Sequence, residues 1–149
     1  MKKLVYLALG ALALSTVMPA WQVEQKSTAR ALKVKLNYTG TATVDAKHKI
    51  IVLLFDRPDF ATQPGVMPIA TQTGASKNAV VTFADTGKSP VYAVVVFDPS
   101  GGYDGSSDPP SGASLGVFGG SPENPEPIKI GPGQKVEIEL KFDDASKMP

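Results

Sequence analysis

The chain has 149 residues with 15 Lys and Arg against 14 Asp and Glu, a formal net charge of +1 that gives no electrostatic footprint for nucleic acid or an anionic membrane. It has no cysteine and one histidine, which excludes disulfide staples, a lipid-modified cysteine and a Cys/His zinc site. Thirteen Pro and fourteen Gly favour many turns and few helices.

Lys2 and Lys3 precede an apolar run, Leu4–Val17, and then Met18, Pro19 and Ala20. That order is a secretory signal peptide, residues 1–20, with cleavage expected after Ala20. The alternative is an uncleaved anchor, but the run is shorter than the about 20 residues a membrane helix needs. The expectation is an exported protein, periplasmic or extracellular, with no membrane span after cleavage. Residues 21–30 are polar without period and read as a flexible N-terminal segment.

Alternation begins at Ala31. Leu32, Val34, Leu36 and Tyr38 fall on one face, and Lys33, Lys35, Asn37 and Thr39 on the other, a half-buried strand. Thr41–Val44 reads as a short second strand and Asp45–His48 as a turn. Lys49–Asp56 is apolar at every position from Ile50 to Phe55, a central strand covered on both faces. Arg57–Val66 is a loop. Met67–Gln72 reads as a weaker strand placed at an edge by Pro68. Asn78–Ala84 is the next strand and Val91–Phe97 the second central one. Ala113–Phe118 is short, Gly119–Pro127 is a Pro-rich loop, and Pro127–Ile130 is extended. Gly131-Pro-Gly133 is a turn. Lys135–Phe142 alternates cleanly, with Val136, Ile138, Leu140 and Phe142 inward, and a polar tail follows. The expected fold is one all-β domain over residues 31–144, an antiparallel β-sandwich of seven to nine strands, with residues 145–149 as a tail.

Four stretches carry a likeness to a known family: KIIVLLFDRPDF (Lys49–Phe60), NAVVTFADTGKSPVYAVVVFD (Asn78–Asp98), the Gly/Asp loop after it, and IKIGPGQKVEIELKFDD (Ile128–Asp144). On these the chain resembles secreted bacterial transthyretin-like and carboxypeptidase-regulatory-like domains, also described as prealbumin-like or carbohydrate-binding-like folds. The resemblance covers about the last two thirds of the chain. It implies an Ig-like or transthyretin-like sandwich serving as an accessory, adhesion or display module. The hydroxyisourate hydrolases share a similar fold but use several histidines and a terminal Tyr-Arg-Gly-Ser. This chain has His48 alone and ends Ser-Lys-Met-Pro, so that activity is not carried over.

The candidate site is the loop Asp98–Gly112, with help expected from Arg57–Gly65. Asp98, Asp104 and Asp108, interleaved with Ser100, Ser106, Ser107 and glycines, are candidate ligands for a structural Ca²⁺, which takes six to eight oxygens. The competing reading is that these aspartates make turns and cap backbone amides. Tyr103, Phe60 and Phe118 are candidates to stack on a sugar, with Asp104 as an acceptor beside them; the competing reading is that they pin loops to the core. Asp56 and Asp59 end the other central strand. His48 sits in a polar turn, no G-x-S-x-G is present, and the Asn37-Tyr-Thr39 sequon falls in a strand. The function expected is a non-catalytic exported module binding a glycan, a peptide or an envelope protein. The alternative is a structural subunit of a surface filament or envelope complex.

Overall fold

The computed structural model describes residues 26–149. The expected signal peptide and residues 21–25 lie outside them. Seven strands form: β1 (Ala31–Tyr38), β2 (Ile50–Phe55), β3 (Ala70–Gly74), β4 (Val80–Phe83), β5 (Tyr92–Phe97), β6 (Ser114–Val117) and β7 (Lys135–Phe142). They make two sheets, one in the order β4-β1-β7 and the other β3-β2-β5-β6. The protein is an all-β sandwich. No helix among the described residues is long and apolar enough to cross a membrane.

The two sheets bury one face each against the other. From the three-stranded sheet come Leu32, Val34, Leu36, Tyr38, Val81, Phe83, Ile138, Leu140 and Phe142. Ile50, Val52, Leu54, Ala93, Val95 and Phe97 meet them from the four-stranded sheet. The alternation of β1 and β7 is the period-2 signature of strands with one wet face. Their outer faces carry Lys33, paired with Glu137 at 2.8 Å, the adjoining Lys35–Glu137 pair, and Asn37 donating to Glu139 at 2.9 Å.

In β2 and β5 every residue is buried, as their unbroken apolar runs require. The second cover is made of loops. The outer face of Ile51, Leu53, Phe55, Tyr92, Val94 and Val96 lies beneath Phe60, Val66, Tyr103, Ala113 and Met148.

The structure departs from the expected elements in five places. All strand pairs are antiparallel except β1 with β7, which run parallel from Ala31 opposite Lys135 to Tyr38 opposite Phe142. The edge strand is Ala70–Gly74, not Met67–Gln72: pairing starts at Ile69, whose amide donates to Leu54, because Pro68 has no amide to offer. Thr41–Val44 is no strand. Gly40 lies so close on the Tyr38 ring that a Cβ there would stand 2.3 Å from Cζ, and Thr41 turns to donate its amide to Asp144 at 3.0 Å. The tail is not free: Leu115 donates to Ser146 and Met148 to Ala113, and an isolated bridge joins Ser114 to Lys147. Arg30, expected in a flexible segment, is held by Asp85 at 3.0 Å and by the Ile130 carbonyl at 3.1 Å.

Asp144 closes one end of the sandwich. Its carboxylate accepts from the Tyr38 hydroxyl at 2.6 Å, the Ser114 hydroxyl at 2.9 Å and Thr41, tying β1, β6 and the chain after β7 to one point. Tyr38 also packs on Phe97 and Phe142, with ring centroids 5.1 and 4.9 Å away. Burial, reinforced by Asp144, pushes the Tyr38 hydroxyl up to about 12. The Tyr38 hydroxyl and then the Thr41 amide hold the Asp144 carboxyl down at about 2, against an ordinary 3.8. A carboxyl lowered in the folded state adds stability above its unfolded value and loses it as pH falls through its folded value. Asp144→Asn is expected to cost about 1.5–3 kcal/mol at neutral pH, the worth of hydrogen bonds to a charged group. It should also flatten the acid limb between about pH 4 and 2. Urea unfolding of both proteins across that range measures this.

Candidate functional site

Asp98 follows β5 directly and is 6% exposed. Its two carboxylate oxygens take the Ser100 amide (2.8 Å) and hydroxyl (2.6 and 2.7 Å), the Gly102 amide (3.0 Å) and the Tyr103 amide (3.1 Å). Burial pushes the Asp98 carboxyl up, but the Ser100 hydroxyl and the three amides outweigh it and hold the group below the usual range. One carboxylate thus does for the first turn of the loop what a ladder does for a strand.

The rest of the loop lies flat on the outer sheet face. Gly105 is buried at φ +87°, and a Cβ there would stand 2.9 Å from a Leu53 methyl and 3.4 Å from Ile51 and Thr71. Only glycine fits both that conformation and that approach. Tyr103 joins the outer apolar layer, and its hydroxyl donates to the Ser107 carbonyl at 3.2 Å. Burial, then the fields of Asp108 and Asp104, raise its hydroxyl.

The expected carboxylate cluster does not form. Asp98 is turned into its own loop, and Asp104 accepts the Ser106 amide at 2.9 Å and hydroxyl at 2.6 Å. No three acidic or His side chains gather in a metal-holding group among the described residues. Asp98 and Asp104 are thus engaged in turns of their own loop, and the Asp108 carboxylate takes no hydrogen bond among the described residues.

The aromatic candidates separate in the same way. Phe60 stacks on Phe55, centroids 4.6 Å apart at 15°, and Phe118 packs on the main core. Both pin loops. Tyr103 lines a depression at the surface.

That depression is shallow, about 250 Å³, and lies between the loop and the 45–49 turn, lined by Lys47, Lys49, Thr73, Asp98, Tyr103 and Asp104. Its second wall was expected from Arg57–Gly65. Register decides otherwise: Ile50 stands opposite Phe97, so the start of β2, not its end, neighbours Asp98. Asp56 and Asp59 lie at the far end, paired with Lys88 and Arg57. The 45–49 turn is held by Asp45, whose Oδ1 takes the amides of Lys47 and His48, both at 2.8 Å, and the His48 ring at 3.0 Å. Among the described residues neither Lys47 nor Lys49 has a carboxylate within ion-pair distance. The two lysines were the part of the site missed in the sequence, where Lys47 read as a turn residue and Lys49 as the start of a central strand.

Asp98→Ala is expected to free the Ser100, Gly102 and Tyr103 amides and cost about 2–3 kcal/mol, with faster amide exchange confined to residues 99–105. Thermal unfolding in millimolar Ca²⁺ and in EDTA should coincide within error, because ion binding to the native state would raise the midpoint. No family model matches this chain, and neither a curated protein nor a solved structure does.

Proposed function

We propose that the chain is a non-catalytic, exported binding module of the transthyretin-like kind, and that its ligand is a glycan or an extended peptide held at the depression beside Tyr103. The observation that supports this is a fixed surface that leaves several polar groups exposed to solvent. Asp98 and Gly105 hold the loop against the sheet, Asp45 holds the facing turn, and Lys47, Lys49, Thr73 and Asp104 are exposed between them. A site on a loop held by a rigid sheet loses little conformational freedom when a ligand arrives. Tyr103 supplies an aromatic edge, the two ammonium groups donate, and Asp104 accepts. Such a mixture suits hydroxyl-rich ligands and uronic acids, whose carboxylates would meet the lysines. The depression is shallow, which suits the end or one residue of a larger ligand rather than an enclosed small molecule.

Titration with neutral and uronic-acid oligosaccharides, followed by amide shifts, tests this. Shifts should gather at residues 47–49, 73 and 101–104. The Lys47→Ala/Lys49→Ala double variant should weaken binding about tenfold, the loss of two charge-assisted hydrogen bonds, with an unchanged unfolding midpoint. Shifts that gather elsewhere, or no binding by any of these sugars or by short peptides, would sink the proposal.

A further inference from the structure

β7 is the longest strand with an open edge. In its parallel pairing with β1 the Ala31 amide donates to Gln134 and the Thr39 amide to Phe142. The two-residue repeat of a parallel ladder then directs the main-chain groups of the even-numbered β7 residues at β1, and those of Lys135, Glu137, Glu139 and Lys141 away from it. No hydrogen bond among the described residues uses those four amides on that side. The other sheet edges are shorter or covered: β3 has five residues and β4 four, while β6 is bridged by the chain at Ser146 and Lys147.

The side chains along the open edge read Lys-x-Glu-x-Glu-x-Lys, a charge palindrome with Val136, Ile138 and Leu140 between. A second β7 laid against it in full antiparallel register would set Lys135 against Lys141 and Glu137 against Glu139, like charge on like at every exposed position. Opposed like charges across strands repel, so the full-length antiparallel pairing with its own copy is disfavoured. The edge is complementary in either direction to a strand reading acid-x-base-x-base-x-acid. The basic half of that complement already sits on its other side, where Lys33 and Lys35 of β1 stand opposite Glu137 and Glu139.

At its C-terminal end, where Phe142 packs beside Gly116 of β6, the edge adjoins a depression of about 640 Å³, lined by Leu115, Val117, Pro122, Phe142, Lys141 and Lys147. An added strand would find room there for its apolar side chains.

We propose that the open edge of β7 is a docking edge for an extended segment of another protein, one alternating apolar and charged residues with two central bases flanked by acids. Main-chain hydrogen bonds to residues 135, 137, 139 and 141 supply the affinity and the charge order supplies the choice. This surface is separate from the depression at Tyr103 and does not depend on it.

The probes are two synthetic peptides, Glu-Val-Lys-Ile-Lys-Val-Glu and its charge reversal Lys-Val-Glu-Ile-Glu-Val-Lys, added to the full chain. The first should bind at least about tenfold more tightly, since each opposed charge pair contributes a factor of roughly 1.4 to 5. Amide protection should rise at Glu137 and Glu139. Glu139→Pro removes an outward amide while sparing the β1 ladder, as edge strands allow, and should abolish the preference. Glu139→Lys, which keeps the amide and inverts the charge, should weaken the first peptide and strengthen the second, so the test survives if the proline variant does not fold. Equal affinity of the two peptides, no binding, binding unchanged by Glu139→Lys, or a chain that dimerises through β7 would each overturn the proposal.

Discussion

The central strands β2 and β5 are apolar on both faces, and the fold is what remains possible once that is granted. One face is satisfied by the opposite sheet. The other needs a second cover, and in a chain without helices in its described part the cover has to be loops. Their irregular backbone cannot leave polar groups unpaired beneath it, so each loop brings its own acceptors. Asp98 serves four donors in the first loop turn, and the Asp59 carbonyl serves Thr62 and Gln63 in the 57–66 loop. The flat lie of residues 98–112, the seat of Gly105 and the docking of Met148 all follow from that second cover.

Short carboxylates do much of the work that disulfides or helix packing do elsewhere. Asp45, Asp85, Asp98, Asp104 and Asp143 each accept an amide two residues on, which stiffens a turn without a cross-link. Asp144 does the same over long range, joining Tyr38, Thr41 and Ser114. The carboxyls of Asp45, Asp85, Asp98, Asp104 and Asp144 are all held below the usual carboxylate range by the donors they accept, so the turns are tightest where the aspartates are ionised.

What could be read from the sequence followed period and composition. β1 and β7 were legible because one face is wet, and β2 and β5 because neither is. β3 was placed three residues early because Ala-Thr-Gln-Thr-Gly at an exposed edge has no apolar pattern to mark it. The parallel pairing of β1 with β7 leaves no local trace, since any two alternating strands read alike in either direction. The site was half legible. The loop and Tyr103 announced themselves by Gly, Asp and Ser, but the facing wall depends on which end of β2 meets Asp98, a matter of register that neither strand records. Asp144 lay in a polar run and gave no sign of reaching Tyr38, more than a hundred positions earlier.

The parallel seam of β1 and β7 joins the first and last strands of the fold, with Ala31 beside Lys135. Nothing local can close that seam. During synthesis β1 leaves the ribosome first, yet one of its two flanking partners is made last, so its edge stays open until nearly the whole domain has emerged. Contacts of such long sequence separation slow folding by the loop that must be closed before they form. Until that last strand arrives, β1 has only β4 beside it.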